Sequence, residues 1–189
     1  MFFIIHVNPF CNEGTCKMFV NWLRNSVYSS GVLLLFRLYL GYHWMTAGWG
    51  KLTSEKGFTA LGFLKGAIGK ATGEHPAVQS WWAAFLKNFA IPNVELFNFL
   101  VPWGEFLVGI GLLLGVVTTF SAFMGATMNF AFMFSGSTST NVQMVLLTIF
   151  ILVAGRNAGR FGLDYYLHSY IDKVFKSKSK NTGEATYNA

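Results

Sequence analysis

The chain is short of charge. Aspartate, glutamate, lysine and arginine make up 12% of its 189 residues, against roughly 25% in an average soluble domain. That is too little to cover a soluble globule of this size. There are two cysteines, which excludes a disulfide scaffold. No P-loop, HExxH or CxxC occurs, and no GxGxxG follows a strand. The histidines His6, His43, His75 and His168 are not spaced for haem ligation between helices. No haem, metal or nucleotide cofactor is therefore expected. What is abundant is apolar surface, at 53% hydrophobic and 17% aromatic residues, which excludes a disordered chain. The net charge of +6 needs no nucleic acid to explain it, because the basic residues flank apolar stretches, as they do in membrane proteins.

A bilayer core takes about 20 mostly apolar residues per helix. Runs approaching that length occur at about 31–50, 96–117, 119–135 and 141–156. Four helices this apolar leave no polar face for water, so the expected fold is all-α, an integral membrane four-helix bundle. Gly136 to Thr140 is a short polar turn, and almost nothing separates the second and third runs, so those neighbours are antiparallel. Leu52 to Glu95 is long. Phe58, Leu61, Leu64 and Ile68 recur there at helical spacing, and Ala77 to Ala90 carries Trp81, Trp82, Phe85, Leu86 and Phe89. This predicts an interfacial helical segment between spans one and two.

Residues 1–30 read as an N-terminal extension, 31–165 as the four-span domain and 166–189 as a basic tail. Four spans put both ends on one side. Eight basic residues flank that side (Lys17, Arg24, Arg156, Arg160, Lys173, Lys176, Lys178, Lys180), against five on the long connection (Lys51, Lys56, Lys65, Lys70, Lys87). Both ends are therefore expected in the cytoplasm, with Lys176 to Lys180 facing anionic lipid. The opening Met1 to Lys17 has neither the basic start nor the long apolar stretch of a signal peptide. Translation from Met18 is the expectation. The alternative for this stretch is a redox pair or metal clip made by Cys11 and Cys16.

Polar side chains at bilayer depth cost at least about 2.5 kcal/mol when charged, and so mark candidate sites. Span one carries Arg37 and His43, span two Glu105 and span three Asn129. Counting at 1.5 Å per residue places His43, Glu105 and Asn129 in one layer, with Arg37 a turn or two away. A buried carboxylate must pair, protonate or be wetted, and Arg37 and His43 are the expected partners of Glu105. Plainer readings stand beside these. An Arg37–Glu105 pair can be a structural tie, Arg37 can snorkel to the interface, His43 can be a structural hydrogen-bonded histidine, and Asn129 can join two helices. Phe130, Phe132 and Phe134 beside Met128 and Met133 suit a planar ring, but equally suit lipid or core packing.

Three stretches resemble a known family. They are Gly48-Trp49-Gly50-Lys51-Leu52 closing span one, Pro102-Trp103-Gly104-Glu105 with Gly109, Gly111 and Gly115 in span two, and Gly159-Arg160-Phe161-Gly162-Leu163-Asp164 after span four. In this order and spacing they resemble the DoxX family of small four-span membrane proteins, within it the DoxD-like branch, over roughly residues 31 to 165. The resemblance implies a quinone-facing membrane subunit of a thiosulfate:quinone oxidoreductase, with a second subunit oxidising thiosulfate. On this reading Glu105 and Arg37 are the catalytic candidates, and His43 and Asn129 bind quinone. The expected partners are membrane lipid, a second oxidoreductase subunit and, as an open option, further copies of the chain. The alternative is a non-enzymatic membrane scaffold that binds lipid or a partner.

Overall fold

A computed structural model describes residues 13–167 and 169–170. His6, Cys11, His168, the Lys176 to Lys180 run and most of the stretch before Met18 lie outside the described residues. Among the described residues the chain is helical with no strand. The elements are α1 (Glu13–Asn25), α2 (Val27–Leu52), α3 (Leu61–Gly69), α4 (Ser80–Phe85) running into a π-helical turn (Leu86–Ala90), α5 (Val94–Leu114), α6 (Thr118–Phe134) and α7 (Asn141–Ala154), which tightens into a 3-10 turn (Gly155–Gly159). The four long runs of the sequence thus become α2, α5, α6 and α7.

Two stretches, Val94–Leu114 and Asn141–Gly159, are long and apolar enough to cross a membrane. At 26 residues α2 is long enough, about 39 Å, but it carries Ser29, Ser30, Arg37, His43 and Lys51. At 17 residues α6 is about 26 Å long. Large apolar side chains face outward along these helices, among them Leu35, Phe99, Leu107, Phe123 and Leu146.

The bundle is built on the antiparallel pair α2 and α5, whose backbones meet through glycine. A Cβ on Gly41 would fall 2.8 Å from Leu113 Cγ and 3.1 Å from Gly109 O, one on Gly109 would strike the Met45 backbone, and one on Gly48 would strike Phe106 N. Small residues let helices approach this closely. These contacts also fix the register, with Gly41 opposite Leu113, Met45 opposite Gly109 and Gly48 opposite Phe106. α5 therefore overshoots the end of α2 by about two turns. Pro102 lies inside α5 without ending it. The lost backbone donor frees only one carbonyl, that of Asn98, a turn earlier. Leu33, Leu40, Trp44, Val108, Leu112, Ala122 and Ile151 fill the interior between the long helices.

Residues between α2 and α5 form a second, smaller core of Ala60, Leu64, Ala67, Leu86 and Ala90, with Phe58, Trp82 and Phe97 packed on it. Both helices expected in this connection are present. The connection is pinned over the start of α5 and the end of α6. Ala60 N donates to Asn98 Oδ1 at 2.7 Å, Trp82 Nε1 to Ser135 Oγ at 2.9 Å and Lys70 Nζ to Gly136 O at 3.0 Å, and the Phe63 ring meets Phe132 edge-on.

α1 meets the bundle at the other end. Ser26, extended, ends α1 and caps Tyr28 N of α2. Asn157 in the 3-10 turn donates to Leu23 O, Ser26 O and Ser29 Oγ at 2.9–3.0 Å, and accepts from Ser30 Oγ at 2.7 Å. One of the carbonyls left over at the end of α1, that of Leu23, is thereby met by a buried side chain 134 residues away. Cys16, on α1, is disulfide-bonded.

Candidate functional site

The expected polar residues separate into two groups at opposite ends of the bundle. Arg37 does not meet Glu105. Its guanidinium, 1% exposed, donates from Nη1 to Ala158 O at 3.1 Å and from Nη2 to Phe161 O at 2.9 Å. It lies against Gly115 and Gly162, where any Cβ would collide with it. It does not snorkel, because both Nη groups are held by carbonyls of the segment after α7, although Nε is left without a partner. In the same junction the buried Asp164 carboxylate accepts from Val117 N at 2.6 Å and Thr118 N at 2.8 Å. These are free amides at the start of α6, so Asp164 caps α6 from 46 residues downstream. The cap holds an unusual turn, since Gly115 has φ +66° and Val117, a β-branched residue, has φ +48°. A left-handed conformation costs a residue with a Cβ roughly 1–2 kcal/mol.

Glu105 belongs to the other group. Its carboxylate is buried on α5, and its partner is Lys51, in the last turn of α2. Nζ lies 2.5 Å from Oε2. The Lys51 side chain is 29% exposed against 3% for Glu105, so the pair runs from the surface inward. Lys51 Nζ also lies 5.9 Å above the Phe58 ring of the long connection. The stagger of the helices explains the pairing. Glu105 is mid-helix in α5, but it faces the Gly48 level near the end of α2. Arg37 is eleven residues from Gly48, about 16 Å along α2. His43 is about 7.5 Å below that level, half-buried, with its ring 4.5 Å from Tyr39 and 5.9 Å from Tyr42. The single layer read from the sequence therefore holds for Glu105 and Asn129, but not for His43.

Asn129 does share the Glu105 level. A Cβ on Gly104 would sit 3.2 Å from Met128 Sδ, and one on Gly125 would sit 3.2 Å from Val108 Cγ1, which sets 104–108 of α5 against 125–128 of α6. Asn129 is fully buried, and neither its Oδ1 nor its Nδ2 has a protein partner. It makes no interhelical hydrogen bond of the kind the sequence suggests. Trp44 of α2 completes the group. It is buried, its Nε1 has no partner either, and it lies along the same face of α6, from Gly125, whose Cβ would come within 3.1 Å of Nε1, to Phe132, at 6.4 Å between rings.

Lys51 and Trp44 are the residues that sequence reasoning passed over. Lys51 stands out there only as the cation closing span one, and Trp44 only as one more apolar residue. Among the described residues no three histidine, cysteine, aspartate or glutamate side chains gather as a metal site. The chemistry available is that of one buried carboxylate with a single cationic partner, beside unsaturated hydrogen-bonding groups.

The geometry also separates the three sequence stretches by role. Gly48 to Leu52 and Pro102 to Glu105 meet at the Lys51–Glu105 pair, whereas Gly159 to Asp164 forms the junction around Arg37. Comparison with curated proteins and with solved structures gives no match. The DoxX family model matches residues 32–137, more than half of the chain, from the second turn of α2 to just past the end of α6, and so includes Lys51, Glu105, Asn129 and Trp44. The chain belongs to the DoxX family, and with two helices of spanning length and apolarity it reads as a membrane protein.

Proposed function

We propose that this chain is the membrane subunit of a quinone-linked oxidoreductase, crossing the bilayer four times with both ends in the cytoplasm, and that Glu105 is its proton-exchanging group. The observation that carries the proposal is the burial of Glu105 in a helix of spanning length, with Lys51 as its cationic partner at the surface. Quinone reduction takes two electrons and two protons. The electrons come from a partner subunit, in keeping with the lack of a cofactor motif in this sequence. The protons need a group that can be charged or neutral inside the bundle, and a carboxylate with one partly exposed lysine meets that need. His43, half-buried beside Tyr39 and Tyr42, offers an imidazole to a quinone carbonyl from the flank of α2. Arg37 has no part in this exchange. Thiosulfate is the donor suggested by the resemblance to the DoxD-like branch.

The test is the quinone content of the lipid extract from protein purified in mild detergent. Near-stoichiometric quinone in the wild type, lost in Glu105→Gln at unchanged folding, supports the proposal. Quinone at bulk-lipid level in both preparations sinks it and favours the scaffold.

A further inference from the structure

Trp44 starts about 6 Å below the Glu105 level on α2, but its ring lies along α6 from Gly125 to Phe132, the stretch that carries Asn129, and the two residues leave two donor atoms and one acceptor in the interior without protein partners (Trp44 Nε1, Asn129 Nδ2 and Asn129 Oδ1). Leaving a buried polar atom unpaired costs about 1–3 kcal/mol, so three in one place call for an occupant that both accepts and donates. The packing limits its size. A single methyl on Gly125 would already come within 3.1 Å of Trp44 Nε1 and 3.2 Å of Val108 Cγ1, and Asn129 is fully enclosed. A quinone ring does not suit that space. Water does, because it accepts two hydrogen bonds and donates two.

We propose that Trp44 and Asn129 form an internal hydration site at the level of Glu105. A water there accepts from Trp44 Nε1 and Asn129 Nδ2 and donates one hydrogen to Asn129 Oδ1. Its second hydrogen is free to solvate the Glu105 carboxylate from inside the bundle, opposite Lys51. When the carboxyl is neutral the same hydrogen can go to its carbonyl oxygen, so Glu105 changes charge without stranding a polar neighbour. Asn129 is then a positioning residue that acts through water, not a direct ligand of a quinone. The hydration site stands whether or not the chain serves a quinone.

The experiment is water-to-indole magnetisation transfer by NMR on the full chain in mild detergent, with its tryptophans labelled with nitrogen-15 at the indole. Trp44 is assigned by its loss in Trp44→Phe or, if that variant fails to fold, by its shift in Gly125→Ala. A hydrogen-bonded Trp44 resonance with a cross-peak to a long-lived water, in wild-type protein, is the expected result. A Trp44 resonance in the position of a free indole with no water cross-peak overturns the proposal, as does a cross-peak to quinone or lipid protons in place of water. Thermal unfolding of Asn129→Leu gives an independent sign. The midpoint falls if the amide is hydrated, because Trp44 loses its bridge, and a rise overturns the proposal, because only an unpaired amide is relieved by an apolar replacement. Neither readout depends on quinone content, so this proposal and the functional one fail separately.

Discussion

The two charged ends of the bundle use similar groups differently. At the Arg37 end, the guanidinium donates to two backbone carbonyls and the Asp164 carboxylate accepts two backbone amides. Each charge is held by groups that cannot leave. At the Glu105 end, the carboxylate is held by a lysine that is partly in solvent; buried polar atoms without a partner occur at both ends, Arg37 Nε and Thr118 Oγ1 at the first and the Asn129 amide and Trp44 Nε1 toward the second. A charge bound to backbone fixes a shape. A charge bound to a mobile side chain can be released. By that difference the first end is a lock and the second, on the proposed function, the working site, although both kinds of residue look alike in a list of buried ions.

The sharpest way to break the comparison is to open the lock. Arg37→Ala removes the donors to Ala158 O and Phe161 O and strips the junction of its cation. It should cost about 3–5 kcal/mol, as when a buried charge loses its partner, and yield little monodisperse protein on size-exclusion chromatography. A fully folded variant would show that the junction is not what holds the chain's end in place. Packing between the ends comes next. Gly48→Val drives a side chain into the Phe106 backbone and should cost about 1–3 kcal/mol, read as a lower unfolding midpoint in detergent. The working site should respond differently again. Lys51→Met should destabilise by about 1–3 kcal/mol, discounted for the exposure of the lysine, and adding Glu105→Gln should restore much of the loss, because the stranded charge is gone. If the double variant is no more stable than Lys51→Met, the pair is not coupled. The smallest effect should come from Val117→Gly, which relieves the left-handed valine and should raise stability by about 1 kcal/mol. A loss there would mean that the valine side chain matters more than its backbone.

The helices were legible in the sequence because apolar runs of spanning length have few other uses. Even the connection showed its two helices, through the spacing of Phe58, Leu61, Leu64 and Ile68. Residues worth attention were legible too, since a charge in an apolar run announces itself, and Arg37, Glu105 and Asn129 are all buried. Which of them meet was not legible. Pairing depends on the stagger between α2 and α5, and that follows from backbone contacts at Gly41, Gly48 and Gly109 that no count from the helix ends reveals. The same stagger hid Lys51, which looks terminal on α2 yet reaches the middle of α5. Asp164 lay beyond reach for another reason. Its partners are backbone amides, and a sequence carries no mark of which amides are left over.

The closing junction also has a consequence in time. Arg37 emerges from the ribosome 121 residues before Ala158, whose carbonyl receives it. At about 5–20 residues per second it waits on the order of ten seconds for that partner, and the start of α6 waits several seconds for Asp164. Among the described residues nothing made earlier hydrogen-bonds either one in the finished bundle, so the nascent chain holds unfinished polar business until its last helices arrive. Synthesis that stops short of Asp164 leaves a product marked as incomplete by its own exposed groups, which a cell's quality control is equipped to read.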